Sequence, residues 1–457
     1  MVELLYVILL IFTIVVLIKY ISEGTNLLGI VFFAVFVLYY ILTPTILGFY
    51  GGEYVTQAYK TPYLVIYRDS TESDKLRVFF ITLGVTLLLI GLRKVRLTFG
   101  KNKKRIQYAN FGKREEDYEL LDQVVYKMGM VFLLIGGIAL LELIVELGGL
   151  QRMLSLGNII RGYRVDNADY LSPIGSICKT LSVFVTGSFF CFYSSSPKHR
   201  RHRLLIIVSA VLSVAYLLFN AGRGPLLLFF GCILFAILKE KGKKVIWIVV
   251  VGFLVITLLS SSIEVVMNNM AKGMPAFHEL EYNMADNILS TVTDLAYPYS
   301  NLLSLPKMIS QSGYSFGLDY IFWFSEVIPK RLLSFIWNII PSNTLVTTNV
   351  SQFYITAGLS YGGTPADYIT YGWFQGSIIG LLVNCIIYDA IIKAIDRPLS
   401  VLPKQYSIIR YRMCFFIYSL ITGNDLPLMI KSNLFLLIMV IVIYRTIKKR
   451  VGLTYAD

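Results

Sequence analysis

Charged residues are scarce in this chain of 457 residues, of which Asp, Glu, Lys and Arg make up only 15%. Soluble globular proteins contain about 25% charged residues. Apolar residues account for 56%, and the mean hydropathy is +0.66. Apolar runs of about 18 residues or more recur along the whole sequence, and such runs are typical of membrane-spanning helices. The composition therefore excludes a soluble protein and predicts an all-α, polytopic integral membrane helix bundle.

Histidine and cysteine are also rare, with three and five residues. The cysteines are scattered through apolar segments without metal-ligand spacing, so we expect neither a disulfide nor a metal site. The sequence lacks a Walker loop, an HExxH zinc motif, a GxSxG turn and a GxGxxG dinucleotide motif. These absences argue against an ATPase, a metalloprotease or a serine hydrolase. They leave room for an enzyme with an activated lipid donor, which needs only cations for the leaving pyrophosphate and a base for the acceptor hydroxyl.

The apolar runs predict about eleven membrane-spanning helices, over residues 2–19, 26–47, 76–92, 124–146, 173–194, 204–220, 225–239, 244–262, 371–394, 406–423 and 431–446. With this count the most basic connections, including 93–105 and 195–203, all fall on one side of the membrane. The positive-inside rule makes that side cytoplasmic, so the N-terminus lies outside and the C-terminus inside. The net charge of +14 therefore reports topology and does not indicate a nucleic-acid partner.

This topology divides the chain into three segments. Residues 1–262 form an N-terminal transmembrane bundle, residues 263–370 form one large structured extracytoplasmic segment, and residues 371–457 form the C-terminal transmembrane helices. A structured outer segment of this size is the usual location of function in a helix bundle.

Several cations are predicted on the outer side, against the positive-inside trend. Arg223 lies in "NAGRG", the outward tip of a short hairpin, where the glycines allow close approach of a ligand or another helix. Arg161 and Arg164 lie in the outer loop between the fourth and fifth helices, and Lys330 and Arg331 lie in the long outer segment. Because a guanidinium binds phosphate with a two-pronged geometry, these cations predict a site for an anionic ligand. The alternative for each of them is a lipid-headgroup contact.

The outer segment, about 264–369, is rich in aromatic residues and predicts short interfacial helices. Trp323 is a candidate platform for a sugar ring, and a place in an aromatic belt is the alternative. Asp367 and Glu326 are candidate general bases, and His278 is the only histidine predicted outside. For Asp367 the alternative is the N-cap of the following helix.

The layout resembles the bacterial O-antigen and oligosaccharide repeat-unit polymerases, the Wzy family. The matching pieces are "NAGRGPLLLF" in an outward hairpin, "IPKR" in the outer segment and "TPADYITYGWFQGSIIG" before the next helix. In the family the last piece has a small residue, an acid, an aromatic residue and a Phe-Gly-x-x-Gly run. Asp367, Tyr368, Tyr371, Gly372 and Gly376 occupy these places here, with one extra residue between the glycines.

The resemblance implies a glycosyltransferase of the GT-C type at the outer face of the bacterial inner membrane. Such an enzyme transfers a growing glycan, as in O-antigen of lipopolysaccharide or capsule, from undecaprenyl diphosphate onto the next lipid-linked repeat unit. No metal or other cofactor is implied, because protein cations hold the pyrophosphate. Tyr368 and Tyr371 are implied sugar contacts. The implied partners are the lipid-linked donor and acceptor, membrane lipids, a chain-length regulator and a flippase.

Three other functions fit parts of the pattern. An O-antigen ligase would move the finished chain to a different acceptor. A polysaccharide flippase or other transporter usually shows internal repeats and polar residues on broken helices, and no repeat is visible here. In a structural or assembly subunit the outer cations would bind only lipid.

Overall fold

The computed structural model describes residues 2–23, 27–54, 62–99, 115–162, 171–195, 200–220, 223–241, 295–327, 345–359, 364–400, 402, 406–423 and 426–453. Within these ranges the chain forms α-helices and one π-helical turn, Leu38–Leu42, and no strand. The α-helices are α1 (Val2–Ser22), α2 (Leu27–Val37), α3 (Thr43–Tyr54), α4 (Pro62–Asp69), α5 (Glu72–Phe99), α6 (Glu115–Glu146), α7 (Leu150–Gly162), α8 (Pro173–Leu181), α9 (Phe184–Ser194), α10 (Arg200–Phe219), α11 (Arg223–Lys241), α12 (Tyr297–Ser312), α13 (Leu318–Val327), α14 (Val346–Thr356), α15 (Tyr368–Phe374), α16 (Ser377–Ser400), α17 (Ser407–Thr422) and α18 (Leu426–Leu453).

Seven helical stretches in the described part of the chain are long and apolar enough to cross a membrane: Val2–Ser22, Leu27–Phe49, Glu72–Arg93, Glu119–Glu146, Pro173–Ser194, His202–Phe219 and Ser377–Asp396. Each coincides with a predicted span, which confirms a membrane-embedded helical protein. Helices α11, α17 and α18 occupy three further predicted positions, and the predicted helix 244–262 lies outside the described residues. The count of eleven and the orientation of the termini stay predictions.

The chain divides into two compact units, each built from separated parts of the sequence. Unit 1 contains Met1–Lys101, Ala285–Asp396 and Phe416–Met429. Unit 2 contains Asn102–Met284, Arg397–Phe415 and Ile430–Asp457. The predicted division at 262/263 and 370/371 concerns the order of membrane and outer segments along the sequence, and it stays a prediction.

The second span is interrupted by the π-helical turn, which joins α2 to α3. Tyr39 and Tyr40 lie on this turn and both are buried. The hydroxyl of Thr43 donates a hydrogen bond to the carbonyl oxygen of Leu38 (2.8 Å) and closes the wider turn. Turns of this kind often lie at functional sites because they rotate the following side chains away from the regular helical positions.

The predicted helix 371–394 differs from the structure at its start. Residues 368–374 form the separate short helix α15, and the span α16 begins only at Ser377. Gly376 has a φ of +135° and Ser377 a φ of +59°. Glycine tolerates positive φ without a steric penalty, so the chain turns a sharp corner here and the helical pattern cannot run through it.

Candidate functional site around Asp367

Asp367 is the N-cap of α15, in unit 1. Its backbone is extended, and its carboxylate oxygen Oδ1 accepts hydrogen bonds from the backbone N–H groups of Ile369 and Thr370, both at 3.2 Å. These are N–H groups that have no partner within a helix, and an aspartate is among the preferred residues for satisfying them. The N-cap alternative from the sequence is therefore the role that the structure shows.

The same carboxylate is the centre of a buried network of side chains. The hydroxyl of Tyr40, on the π-helical turn, donates to Oδ1 of Asp367. The Nδ2 group of Asn301, on α12, donates to Oδ2 at 2.9 Å. The hydroxyl of Tyr354, on α14, donates to Oδ1 of Asn301 at 2.9 Å. Asp367, Asn301, Tyr354 and Tyr40 are each at most 1% exposed. We call these four residues the Asp367 network.

The Asp367 network connects the segment predicted to lie outside to a helical stretch of membrane-spanning length. Helices α12 and α14 and the start of α15 belong to the predicted outer segment, and Tyr40 belongs to the span Leu27–Phe49. A further link comes from Nδ2 of Asn301, which also donates to the carbonyl oxygen of Pro365 (3.1 Å). Because a buried polar group is costly unless it is paired, the network specifies one arrangement of these elements.

Aromatic rings surround the network. The ring of Tyr63 lies 5.8 Å from that of Tyr354 and 6.1 Å from that of Tyr297. Tyr39 lies 6.1 Å from Tyr297, and the hydroxyls of Tyr39 and Tyr418 are 2.5 Å apart. Edge-to-face and tilted ring pairs of this kind add favourable contacts beyond the burial of their surface.

Burial raises the pKa of Asp367 above its ordinary value of 3.8, and hydrogen bonds from Thr370, Tyr40 and Asn301 oppose the shift. Removal of a carboxylate from water disfavours its charged form, whereas donors directed at it favour that form. Both effects act at Asp367, which has no exposed surface. In this conformation the carboxylate can hold four donors in place, and a sugar hydroxyl cannot contact it.

The glycines of the "YGWFQGSIIG" piece are required by close packing and by the backbone conformation. A Cβ atom on Gly372 would lie 3.0 Å from Cβ of Asn384 and from a methyl group of Leu381. A Cβ atom on Gly380 would lie 2.6 Å from the carbonyl oxygen of Gly372. Together with the positive φ of Gly376, these contacts show that α15 packs against the first turns of α16 without room for side chains.

Both tyrosines predicted to bind sugar lie in the interior of unit 1. Tyr368 is 0% exposed and its ring packs edge-on against Phe32 (5.4 Å) and Tyr388 (5.3 Å). Tyr371 is 1% exposed, with Tyr320 at 5.5 Å between ring centroids. In this structure neither ring presents a face to a ligand, and their role as sugar contacts stays a prediction.

For the remaining predicted site residues, the structure describes either the backbone position alone or nothing. Trp323 and Glu326 lie on α13, Arg161 is the penultimate residue of α7, and Arg223 is the first residue of α11. Their side chains are outside the described part of the structure. Arg164, His278, Lys330 and Arg331 lie outside the described residues altogether. Their convergence on one site stays a prediction.

Tyr40, Asn301 and Tyr354 were not predicted as site residues. Tyr40 lies in an apolar run that predicts only a span, more than three hundred positions from Asp367 in the sequence. Asn301 is the residue whose burial with a partner the sequence could have indicated, because it is a polar amide within the largely apolar "YPYSNLLSL". In the structure this stretch is buried. A polar residue on a buried helix face indicates a partner elsewhere, but the sequence does not identify that partner.

No group of three or more His, Cys, Asp or Glu side chains with the geometry of a metal site occurs among the described residues. All five cysteines are free thiols, four of them buried. No family model, no curated protein and no solved structure matches this chain.

Proposed function

We propose that this protein is a polysaccharide polymerase of the bacterial inner membrane. It transfers a growing glycan from undecaprenyl diphosphate onto a lipid-linked repeat unit at the outer face. The proposal includes a fold of the GT-C type, the N-terminus outside, the C-terminus in the cytoplasm, and partners that include a chain-length regulator and a flippase.

The observation that carries the proposal is the location of the "TPADYITYGW" piece. It forms the corner at which the aromatic segment predicted to lie outside meets the candidate span Ser377–Asp396, and its acid is the centre of the Asp367 network. An enzyme that joins two lipid-linked sugars needs an outer segment held rigidly at the membrane surface, since positioning of the reactants supplies much of the rate. The Asp367 network is a source of such rigidity, and this supports the proposal.

The proposed reaction balances without a cofactor. The acceptor hydroxyl attacks the anomeric carbon of the donor, a new glycosidic C–O bond forms, and the bond to the diphosphate breaks. The hydroxyl proton passes to a protein base, and undecaprenyl diphosphate leaves with the bonding electrons. Cations at Arg161, Arg164, Arg223, Lys330 and Arg331 stabilise the leaving diphosphate, which is the largest expected contribution to catalysis.

We assign Asp367 a positioning role in this reaction. Its carboxylate is fully buried and accepts hydrogen bonds from two side chains and two backbone groups, so it has no free access to an acceptor. Glu326 and His278 are then the first candidates for the base. To act as the base, either residue must contact the acceptor hydroxyl and have a pKa near the working pH.

Deletion of the gene tests the proposed class. Without a polymerase, lipid-linked single repeat units should accumulate on the outer face of the membrane and long-chain polymer should disappear. Accumulation of those units on the cytoplasmic face would instead identify a flippase. Loss of only the final attachment, with long polymer retained on undecaprenyl diphosphate, would identify a ligase.

Complementation with Arg223 variants tests the proposed diphosphate contact. We expect Arg223→Ala to reduce polymerisation about a hundred- to a thousand-fold, as for loss of one transition-state contact of roughly 3–4 kcal/mol. Arg223→Lys keeps the charge without the two-pronged geometry and should retain a measurable rate. Polymer at the wild-type level in a normally inserted Arg223→Ala protein would remove this residue from the reaction.

A transporter is the second candidate, and one structural observation favours it. The span Pro173–Ser194 is broken into α8 and α9 at Ser182 and Val183, and the span Leu27–Phe49 contains the π-helical turn. Interrupted spans are common in transporters. The location of the accumulated lipid-linked units in the deletion strain separates this candidate from the polymerase.

A further inference from the structure

A second polar position lies inside the helices of unit 2, at Arg412 on α17. Its Nη2 group donates a hydrogen bond to Oδ1 of Asn433 on α18, at 2.7 Å. Its guanidinium carbon lies 5.5 Å from the ring centre of Phe435. Tyr216 and Cys232 are close enough to influence its charge.

These neighbours place the guanidinium among helices that are long and apolar enough to cross a membrane. Tyr216 lies within the span His202–Phe219, about 4.5 Å along the helix axis from its end at Phe219. Phe435 stacks on Phe190 of the span Pro173–Ser194, with the rings 6.2 Å apart and nearly parallel. An arginine among such helices is costly to keep, and a residue of this kind usually faces a partner or a cavity.

The charge of Arg412 has no acidic partner in the described structure. The ion pairs found between described residues, such as Lys393 with Asp389, involve other side chains. The amide oxygen of Asn433 and the face of Phe435 satisfy only part of a guanidinium, which carries several N–H donors and accepts nothing. A cation that is removed from water without a counter-charge strongly favours binding of an anion.

Arg412 is partly exposed on the surface of unit 2, where the surrounding helices are apolar. Arg412 is only partly buried, whereas Phe435 and Cys232 are 0% exposed, Asn433 is 2% exposed and Tyr216 is 8% exposed. Arg412 therefore has the accessible surface of this cluster, and the buried Phe435 and Cys232 provide apolar walls. An anion that enters here must carry an apolar chain, because the surroundings are helices of membrane-spanning character.

We propose that Arg412, held in place by Asn433, binds the phosphate group of an amphipathic lipid. Phosphate is the anion whose oxygens match the planar fork of a guanidinium. The phosphate of an ordinary phospholipid and the diphosphate of a polyprenyl carrier share this chemistry. The inference does not depend on the proposed polymerase, because binding is measured without any glycosyl transfer.

Native mass spectrometry of the intact protein in detergent tests the site with three probes: undecaprenyl diphosphate, phosphatidylglycerol, and undecaprenol, which lacks the phosphate. We expect the wild type to prefer a phosphorylated lipid over undecaprenol. Arg412→Gln should weaken that binding at least about tenfold, as for loss of a charge-assisted hydrogen bond. Arg412→Lys should lose less, and the control Arg203→Gln, at an exposed arginine of α10, should bind as the wild type does.

The two phosphate sources are distinguished by which probe depends on Arg412. If Arg412→Gln weakens binding of undecaprenyl diphosphate alone, the ligand is the polyprenyl carrier. If Arg412→Gln weakens binding of phosphatidylglycerol equally, the ligand is membrane phospholipid. Wild-type binding of both lipids by Arg412→Gln would overturn the proposal and leave Arg412 a structural residue.

If Arg412→Gln does not insert, modification of arginines by phenylglyoxal in the wild-type protein gives the same answer. Undecaprenyl diphosphate or phosphatidylglycerol should protect the peptide that contains Arg412, and undecaprenol should not. Equal modification with all three probes would also overturn the proposal.

Discussion

At the scale of the residue, Asp367 combines a local and a long-range role. It caps α15 through the N–H groups of Ile369 and Thr370, and it accepts from Tyr40 and Asn301 on elements far away in the sequence. The local role needs only a small acceptor. The long-range role needs both carboxylate oxygens, so substitutions can separate the two.

We predict a graded loss of stability at this position. Asp367→Ser should keep the cap but leave the donors of Tyr40 and Asn301 unpaired, and Asp367→Ala should lose both roles. Each buried donor without a partner costs about 1–3 kcal/mol, so the melting temperature in detergent should fall in the order wild type, Ser, Ala. Asp367→Asn brings an amide donor towards other donors and should cost about 1–3 kcal/mol.

The matched control for these variants is Asp69→Asn. Asp69 pairs with Arg68 at the surface, where both side chains are more than half exposed, and such pairs contribute little. If the Asp367→Asn protein has the melting temperature of the wild type and yet forms no polymer, Asp367 is a catalytic base and the positioning role is wrong.

The sequence predicted part of this site and could not predict the rest. An acid directly before an apolar helical run indicates an N-cap, and Asp367 is one. The partners Tyr40 and Asn301 are contributed by tertiary packing, for which a single sequence contains no local signal. Tyr368 and Tyr371 are aromatic residues of the type that stacks on sugars, and for this reason they were predicted as sugar contacts. Both are buried, and their burial depends on how α15 packs against α16, which the residue type does not determine.

At the scale of the element, glycines decide how closely helices approach. In unit 2, a Cβ atom on Gly136 of α6 would lie 2.4 Å from the backbone nitrogen of Val185 and 3.0 Å from the backbone carbon of Phe184. The adjacent Gly137 has no atom within 4 Å of such a Cβ. Helix α6 therefore packs backbone to backbone against α9 on one face and has an open face beside it.

This pair of glycines gives a matched experiment. Gly136→Ala forces backbone atoms apart and should destabilise the protein by about 1–3 kcal/mol. Gly137→Ala adds the same methyl group to open space and improves helix propensity, so it should be neutral or stabilising by up to about 1 kcal/mol. Melting temperatures of the purified variants measure the difference, and equal values for both would show that α6 does not contact α9 in this way.

The positions of helices were predictable and their interruptions were not. Seven predicted spans coincide with spans in the described structure because apolar runs of sufficient length have few other stable arrangements in a membrane. The π-helical turn at Leu38–Leu42 and the break between α8 and α9 lie inside apolar runs. Hydropathy does not register one additional residue in a turn, so packing against other helices determines such features.

At the scale of the whole molecule, the orientation in the membrane links the fold to the proposed function. Arg223 and the Asp367 network serve an outer-face polymerase only if α12 and the start of α11 lie outside. The positive-inside rule supplies that orientation from the basic connections. The exposed and buried side chains of the described helices provide positions at which this orientation can be tested by labelling.

Ser310 on α12 and Lys448 on α18 are both exposed, whereas Ser300 on α12 is 0% exposed. Four of the native cysteines are buried and Cys178 is partly exposed, so Cys178→Ser provides the background. A membrane-impermeant maleimide should label Ser310→Cys in intact cells whose outer membrane has been permeabilised. It should label Lys448→Cys only after lysis, because the basic end of α18, with Arg445, Lys448 and Lys449, is predicted by the positive-inside rule to be cytoplasmic.

Ser300→Cys is the control for burial and should stay unlabelled in both conditions, because its hydroxyl donates to the carbonyl oxygen of Tyr63 in the interior of unit 1 (3.0 Å). Labelling of Lys448→Cys in intact cells, together with protection of Ser310→Cys, would invert the orientation. The inverted orientation would put the Asp367 network on the cytoplasmic side, where polymerisation of exported repeat units cannot occur. The proposed function and the topology would then fail together, whereas lipid binding at Arg412 would be unaffected.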